Sequence, residues 1–287
     1  MDWSAVDETL GRPGEVMAGD VHRYGFPRSD LKVTLDGVAL KPGFALGSYA
    51  AFLATGGDVM VMGDLVLTET EVSPVMAKLQ EQGLEVSAVH NHLLRETPKV
   101  MYMHYLGHGD DAVGLARALR TALQVSATPL GAPPAAASSA EADLGFDAGE
   151  IDRIIGRVGK TTGGLHKYSI ARAEPVLAHM GSGQGEPESK GQEVQLAPGL
   201  GVGTVINFQP LGDGRAALTG DFALIGSEVA EVARTLRSKG IEVTAVHSHM
   251  TNDDPSLYYM HFFSTGAAVD LARGLRAALD LTNAAKG

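Results

Sequence analysis

The stretch Ala88-Val89-His90-Asn91-His92, followed by Tyr102-Met103-His104, decides how this chain is interpreted, because it occurs twice. It recurs as Ala245-Val246-His247-Ser248-His249 and Tyr259-Met260-His261, at a constant offset of 157 residues. Over residues 63–104 and 220–261, 18 of 42 positions are identical. The chain is therefore an internal duplication, and each copy carries the same three histidines.

The duplication predicts two modules of ordinary domain size within 287 residues. We expect a first repeat over residues 1–125 and a second over residues 147–287, each with its own His-x-His site. The segment between them, residues 126–146, is rich in Ala and Pro. Such a composition cannot bury enough apolar surface to fold alone, so this segment is predicted to be a linker.

Both repeats show the same order of predicted elements. Short alternating or β-branched stretches bounded by Gly, Pro and Asp indicate several antiparallel strands. Val72, Val75 and Leu79 then recur with helical spacing, and Gly83 ends that helix. Two more strands and a final helix near residues 111–123 follow. The order predicts an α+β fold, in which each module is an antiparallel sheet with an α-β-β-α unit, compatible with ferredoxin-like packing.

Composition excludes several classes of protein. A net charge of −11 argues against a nucleic-acid partner, because phosphate contacts need clustered Lys and Arg. The absence of cysteine excludes disulfides and thiolate metal sites and leaves His, Asp and Glu as ligands. No apolar run approaches the roughly 18–20 residues of a membrane span, and the first residues do not form a signal peptide. We therefore expect a cytoplasmic protein with no membrane partner.

The histidine spacing suits a metal ion. Residues two apart on a strand point to the same face, so His90 and His92 can aim at one point. An antiparallel return centred near Thr97 would place Tyr102 opposite His92 and His104 opposite His90, with Cβ atoms roughly 4.5–5.5 Å apart. Imidazole nitrogens bind zinc at about 2.0–2.1 Å. The sequence thus predicts a three-histidine site in each copy, with at least one coordination position open.

The predicted ligands occupy matching hairpin positions in the two copies: His90, His92, His104, His247, His249 and His261. A divalent metal is the expected cofactor. Zinc is the first candidate for an all-imidazole site, and iron, copper, nickel and manganese are less specific alternatives.

Carboxylates and tyrosines near the histidines are candidate catalytic groups. Glu96 aligns with Asp253, and either is a candidate fourth ligand or general base for a metal-bound water. Asp254 competes for this role in the second copy. Tyr102 and Tyr259 are candidates to donate a proton or a hydrogen bond to substrate, or to orient a ligand.

Two further pairs of residues match between the copies. His22 and His166 are each followed by a basic residue and a tyrosine, and are candidates for an additional ligand, a group that orients a ligand, or a proton shuttle. Arg28 and Arg172 each lie six residues further on and are candidates to bind an anionic substrate.

The duplicated body resembles a bacterial family of unknown function that includes mycobacterial lipoproteins of the LppY/LpqO type. The resemblance rests on Gly63-Asp64, Ala88-Val89-His90-Asn91-His92 and Tyr102-Met103-His104, with their equivalents in the second copy. It implies a fold and assigns no reaction. Unlike the lipoproteins, this chain has no lipidation cysteine.

Three functional hypotheses follow from the sequence. The first is a metal-dependent enzyme that activates water or polarises a carbonyl of a small, anionic metabolite, as a hydrolase, hydratase or isomerase. The second is a non-enzymatic protein that binds a metal or a small ligand. The third is a purely structural His–Tyr network that stabilises the hairpin. In the first two cases the duplication permits one copy to work while the other is structural.

Overall fold

The computed structural model describes residues 1–131, 143–180 and 192–286. Part of the predicted linker, residues 132–142, lies outside the described residues. The helices within the described ranges are α1 Trp3–Leu10, α2 Pro42–Ala45, α3 Glu69–Glu81, α4 Ala112–Leu123, α5 Ala148–Ile155, α6 Gly226–Ser238 and α7 Ala268–Leu279. The strands are β1 Glu15–Met17, β2 Val21–Pro27, β3 Thr34–Leu35, β4 Val38–Ala39, β5 Gly47–Thr55, β6 Asp58–Thr68, β7 Glu85–His90, β8 Val100–Gly109, β9 Lys160–Thr162, β10 Leu165–Ile170, β11 Leu177–Met180, β12 Gln192–Gln195, β13 Thr204–Gly212, β14 Arg215–Ile225, β15 Glu242–His247, β16 Asp253–Asp254 and β17 Leu257–Ala267.

Each repeat builds one six-stranded antiparallel sheet. The strand orders are β1-β2-β5-β6-β8-β7 in the first repeat and β15-β17-β14-β13-β10-β9 in the second. Two small sheets, β12-β11-β16 and β3-β4, complete the described strands. The predicted α+β fold is confirmed, with α3-β7-β8-α4 in one copy and α6-β15-β17-α7 in the other, where the short β16 precedes β17.

Helices cover one face of each sheet. Helix α3 begins after Thr68, whose backbone N–H donates to Oε2 of Glu71 in the first turn at 2.8 Å. Its apolar residues Val75 and Leu79 are buried against the sheet together with residues of α1 and α4. The second repeat builds an equivalent core from α5, α6 and α7. Burial of these apolar faces is the main driving force that holds the helices on the sheets.

The other faces of the two sheets pack against each other. Met60 and Met62 of β6 share a buried cluster with Ala223 of β14 and Leu257 of β17. A second such cluster contains Tyr102 and residues of β10, β14 and β17. The layers therefore run helices, sheet, sheet, helices. Side chains on the inner faces of β6, β8, β14 and β17 lie between the repeats.

The register of the histidine hairpin differs from the predicted one. His90, instead of His92, lies opposite Tyr102, and Ala88 lies opposite His104, with a bulge between Val86 and Ala88. The second copy pairs in the same way. The loop after β7 does not fold as a tight hairpin, because the backbone of Thr97 exchanges two hydrogen bonds with Thr34. Strand pairing therefore stops at His90, and His92 lies in the loop.

Candidate functional site

The histidines of the two copies meet in one cluster between the repeats. The histidine cluster comprises His90, His92, His104, His247, His249 and His261. Three ring pairs join one copy to the other. His90 stacks on His247 at a centroid separation of 3.5 Å and His92 on His261 at 3.8 Å, while His104 and His249 are tilted by 32° at 3.9 Å. The prediction placed a separate site in each copy, whereas the rings form a single assembly.

The histidine cluster has two pseudo-equivalent layers. Within one copy the rings of His90 and His104 are nearly parallel, 5.0 Å apart and inclined by 6°. In the other copy His247 and His261 repeat this at 4.9 Å and 6°. Tyrosine rings close both ends, since Tyr102 stacks on His92 and Tyr259 stacks on His249, each at 3.3 Å. The repeats are thus related by a local two-fold arrangement at this point.

Matched hydrogen bonds hold the two histidine-bearing loops. The hydroxyl of Ser87 donates to the carbonyl oxygen of His249, and the hydroxyl of Thr244 donates to that of His92. Ser87 and Thr244 occupy equivalent positions in the repeats. Each copy therefore positions the second histidine of the other copy's His-x-His pair.

Two equivalent glycines fix the strands behind the cluster. An added Cβ would lie 2.1 Å from a backbone oxygen of β5 at Gly63, and 1.9 Å from one of β13 at Gly220. Only glycine allows this close approach. The carbonyl oxygens of the same glycines accept hydrogen bonds from Nδ1 of His104 at 3.3 Å and of His261 at 3.2 Å.

Backbone contacts decide which nitrogen of each ring is free. His90 and His247 also direct Nδ1 to a carbonyl oxygen, at 3.2 Å in both copies. A carbonyl only accepts, so Nδ1 carries the hydrogen, and in a neutral imidazole Nε2 then holds a lone pair. The Nε2 atoms of His247 and His261 face each other at 2.8 Å. Two lone pairs at this distance repel unless a cation lies beside them.

Burial keeps these imidazoles neutral. Desolvation, with a smaller contribution from His247, lowers the pKa of His90 to about 3. Desolvation likewise lowers the pKa of His247 to about 4. The pKa values of the other four cluster histidines lie well below the ordinary value for the same main reason. Neutral imidazole is the form that binds metal ions.

Several cluster nitrogens have no hydrogen-bond partner in the described part of the chain. These buried atoms are His90 Nε2, His92 Nε2, His104 Nε2 and His249 Nδ1. Leaving a buried polar atom unsatisfied costs about 1–3 kcal/mol, so several in one place call for a ligand that binds them together.

Two groups of three histidines have ligand atoms close enough to share an ion. In each group, His90-His92-His261 and His90-His104-His247, all three ligand atoms lie within 4.8 Å of one another. Both groups combine the two copies. They differ from the predicted trios, because the sheets meet face to face and bring the opposite copy's rings closer than one hairpin alone can.

Sequence reasoning missed two acidic residues beside the cluster. Asp64 and Asp221 lie directly opposite His104 and His261 on neighbouring strands, and Asp64 Oδ2 is 3.4 Å from His92 Nε2. Burial, with the charge of Asp221 as a second cause, raises the pKa of Asp64 to about 8. Burial raises the pKa of Asp221 to about 7. The Gly-Asp pair recurs at the same offset as the histidines, and this signal could have identified both.

The predicted carboxylates of the hairpin loop contact the backbone. Glu96 accepts a hydrogen bond from the backbone of Val100, and burial raises its pKa. Asp253 Oδ2 accepts from the backbone N–H of Leu257 at 2.9 Å, and burial raises its pKa too. Both carboxylates therefore cap the start of a strand. Asp254 lies beside Asp253 in the short strand β16.

The predicted tyrosines contribute their ring faces to the cluster. Tyr102 and Tyr259 are buried, and burial raises the pKa of both well above the ordinary value. The hydroxyl of Tyr102 donates to the carbonyl oxygen of Ala45 at 2.7 Å. That proton is directed into the protein, so the role visible for Tyr102 is packing against His92.

His22 and His166 lie in separate environments. His22 stacks on Trp3 at 4.0 Å. His166 is buried, with Nε2 2.8 Å from a carboxylate oxygen of Asp152 and Nδ1 3.0 Å from the hydroxyl of Thr161. Within the described ranges no hydrogen bond or ring contact joins either residue to the histidine cluster.

Arg28 and Arg172 are buried in matched ion-pair networks. Arg28 binds Asp30 and Glu71, each at 2.8 Å. Arg172 binds Glu174 and Glu228, the latter at 2.8 Å. Burial alone would lower the pKa of each arginine, and the hydrogen bonds to the carboxylates raise it instead. Both guanidinium groups are bound within their own repeat, which leaves them little capacity for a substrate.

Fold and site define the class of protein: an internally duplicated α+β protein with a buried histidine cluster where its two sheets meet. Residues 4–125 and 149–281 match the model of a family described as "Domain of Unknown Function (DUF1259)", and the chain belongs to that family. A comparison with curated proteins gave no match. The predicted membership of a family of unknown function is thus confirmed.

Similar solved structures include a microcompartment shell protein and EtuB. The trimeric bacterial microcompartment shell protein PduB is 14% identical, with a TM-score of 0.23 over 94% of this chain and 91% of PduB. EtuB from Clostridium kluyveri is 12% identical, with a TM-score of 0.20 over 93% of this chain and 88% of EtuB. Scores this low do not bear on the function or assembly of this chain. No helix in the described ranges is long and apolar enough to cross a membrane.

Proposed function

We propose that this protein binds a divalent transition metal, zinc first, in the histidine cluster, and uses it to act on a small molecule. The observation that carries the proposal is the 2.8 Å approach of the Nε2 atoms of His247 and His261. Both rings use Nδ1 to donate to a carbonyl oxygen, and burial opposes protonation. Two nitrogens that bind one zinc ion at about 2.0–2.1 Å with tetrahedral geometry lie roughly 3.3–3.4 Å apart, so a small outward movement of these rings would let them share an ion.

A metal ion held by only three protein ligands favours a catalytic function over a structural one. Three imidazoles leave a coordination position for water or substrate, as in catalytic zinc sites. Zinc held in this way supplies Lewis acidity, which activates water or polarises a carbonyl. The proposal is therefore hydrolysis, hydration or isomerisation of a small metabolite. The proposal does not assign Arg28 and Arg172 to an anionic substrate, because both side chains are bound to carboxylates of their own repeats.

A second candidate is metal binding without turnover. It is favoured by the hydrogen bonds of the candidate proton-transfer groups, since Glu96, Asp253 and Tyr102 are all engaged with backbone atoms. Asp64, 3.4 Å from His92, is the carboxylate best placed for proton transfer. We further propose that the protein is related to the LppY/LpqO-type lipoproteins and that it is located in the cytoplasm.

Metal analysis tests the proposal directly. Protein purified without chelator, and then stripped and titrated with Zn²⁺, is compared with the variant His90→Ala/His247→Ala, which removes the two central rings. We expect tight zinc binding in the parent protein and its loss in the variant. The control is His179→Ala, because that side chain is 51% exposed and lies outside the cluster. Absence of metal from the parent protein and from its titration would refute metal binding and leave a structural His–Tyr network.

A screen for turnover separates the two candidates. Zinc-loaded protein is incubated with a panel of small esters, amides, lactones and hydratable carbonyl compounds. Turnover that disappears in Asp64→Asn while zinc binding persists would support the enzyme. Tight zinc binding with no turnover across the panel would favour the non-enzymatic candidate.

A further inference from the structure

The first helix of the first repeat ends beside an arginine that the chain itself binds. Arg12 follows Gly11, the left-handed residue at the end of α1. Its guanidinium donates hydrogen bonds to the carbonyl oxygens of Gly25, Pro129 and Gly131, the last two at 2.9 and 2.7 Å. The segment that follows helix α4 therefore covers this end of the repeat and supplies Arg12 with oxygen atoms.

A second arginine lies beside Arg12. Arg120 belongs to helix α4, and a Cβ added to Gly11 would lie 3.1 Å from its Nη1 atom. Burial, with the charge of Arg120 as a second cause, lowers the pKa of Arg12. Two guanidinium groups that are close together and partly removed from water are stabilised by hydrogen-bond acceptors beside them. In the first repeat the carbonyl oxygens of the chain take this role.

The second repeat has the same two arginines without the covering segment. Arg157 follows Gly156, the left-handed residue at the end of α5. Arg276 of helix α7 lies beside it, with Nη1 3.5 Å from the position of a Cβ on Gly156. In the first repeat the carbonyl oxygen of Leu130 lies 3.3 Å from the equivalent position. Among the described residues of the second repeat, no carbonyl oxygen from a distant segment lies within 4 Å of it.

Arg157 consequently has an unused guanidinium group. It has no hydrogen-bond acceptor among the residues that the structure describes, and burial and the charge of Arg276 both lower its pKa. Arg276, by contrast, binds Asp280 and donates to the carbonyl oxygen of Ile155 at 2.8 Å. It thereby neutralises the carbonyl end of helix α5, which leaves Arg157 free for a ligand.

A cavity of about 320 Å³, the arginine cavity, opens beside these arginines. Arg157, Arg276, Lys286 and Asp280 provide its charged groups. Three cations and one carboxylate leave an excess of positive charge, in a chain whose net charge is −11. Cavities of roughly 300–1,000 Å³ hold small molecules. This one lies at the ends of α5 and α7, which pack on the outer face of the second sheet.

We propose that the arginine cavity binds a small molecule through a dianionic phosphate group, with Arg157 as its main donor and Lys286 as a second. A guanidinium group offers two parallel N–H donors that match two phosphate oxygens. A phosphate monoester carries about two negative charges at pH 8, which balances the excess of positive charge. The cavity lies on the helix side of the sheet, away from the histidine cluster, so this site is independent of the proposed metal binding.

Binding of inorganic phosphate tests the arginine cavity. Full-length protein, stripped of metal and dialysed free of chelator, is titrated with phosphate at pH 8 and low ionic strength by isothermal titration calorimetry. Phenyl phosphate and succinate are titrated in parallel. We expect one phosphate per chain in the parent and about tenfold weaker binding in Arg157→Met, a loss that corresponds to about 1.4 kcal/mol. Lys286→Met should cause a smaller loss.

Arg153→Met is the matched control, because it removes the same charge from a side chain of the same helix that is 74% exposed. It should keep the affinity of the parent. Circular dichroism checks folding. Arg157→Lys keeps the charge and loses the planar fork, so it should also bind phosphate more weakly than the parent, and it replaces Arg157→Met where folding is lost.

The remaining outcomes each decide the proposal. Tighter binding of phenyl phosphate than of phosphate would support it, because the organic group would then occupy the rest of the cavity. Equal affinities in the parent, Arg157→Met and Arg153→Met would overturn it, as would the absence of saturable binding of both phosphate probes. Tighter binding of succinate than of either phosphate would overturn the phosphate assignment in favour of a carboxylate ligand.

Discussion

The two repeats match in the histidine cluster and in their buried arginine networks, and they differ around His22 and His166. In the histidine cluster, equivalent ring separations agree at 5.0 and 4.9 Å. At the outer ends, His22 stacks on Trp3, whereas the matching His166 is bonded to Asp152. Helix α1 begins with Trp3 and helix α5 begins with Ala148, so the ring that stacks on His22 is replaced by a methyl group at the start of the second helix.

The difference has a physical origin. A residue in the cluster contacts a residue of the other repeat, so a change in one copy alters the packing of both. A residue at the outer end contacts only its own helix and sheet, and each copy can settle its polar contacts independently. Function that depends on both repeats is therefore expected at the interface.

Replacing the buried arginines should cause the largest loss of stability, and it tests whether the two repeats are equivalent. Arg28→Ala would leave Glu71 and Asp30 without their cation, and Arg172→Ala would do the same to Glu228 and Glu174. Removing one partner of a buried ion pair costs about 3–5 kcal/mol. We expect losses of this size in both variants, measured by urea unfolding. The control Arg153→Ala, whose side chain is 74% exposed, should change the free energy of unfolding by under about 0.5 kcal/mol. A large loss in only one repeat would break the equivalence.

The pH dependence of the stability of metal-free protein should show how far Asp64 and Asp221, the matching aspartates of the two repeats, behave alike. The folded pKa of Asp64 is raised to about 8 and that of Asp221 to about 7, from 3.8. A raised pKa means that the protonated form stabilises the fold at low pH, and that this stability is lost as the pH rises through the folded pKa.

Asparagine variants isolate this contribution. The difference in melting temperature between Asp64→Asn and the parent should become more positive from pH 4 to about pH 8. The same difference for Asp221→Asn should rise and then level off near pH 7. We expect a rise of roughly 3–5 °C for each unit by which the pKa is raised, because one unit corresponds to about 1.4 kcal/mol and one kcal/mol to roughly 2–4 °C. Measurements are made with chelator present. Glu231→Gln, with a 65% exposed side chain, is the control, and an equally flat difference curve for Asp64→Asn would contradict the prediction.

The outer histidines should give the smallest effect and the clearest asymmetry. His166→Ala removes the buried partner of Asp152 and Thr161, which should cost about 1–3 kcal/mol. His22→Ala removes a ring contact with Trp3, worth about 0.5–1.5 kcal/mol. Chemical unfolding of both variants measures the difference. Equal losses would show that the two environments are energetically alike despite their different contacts.

Much of the fold could be predicted from sequence because local patterns decide it. The helical spacing around Val75 and Leu79 gave α3, and the alternating stretches gave β5, β6 and β8. The register of β7 against β8 could not be predicted from local patterns, because the bulge before Ala88 and the pairing of Thr97 with Thr34 depend on contacts outside the hairpin. The roles of Asp64 and Asp221 were missed because each lies opposite a histidine on a neighbouring strand of its own sheet, and that pairing joins residues far apart along the chain.

By itself the sequence determined that the chain is duplicated, that each copy is an α+β module and that three histidines recur with the same spacing in each copy. These properties follow from short-range periodicity and from comparison of one half with the other. Only the tertiary structure decided that His90 stacks on His247 and that each group of nearby ligand atoms combines both copies. Packing of one sheet on the other sets those distances. Burial of the apolar inner faces brings together residues that are far apart along the chain. One cluster, shared by both repeats, replaces the two separate sites that the spacing predicted.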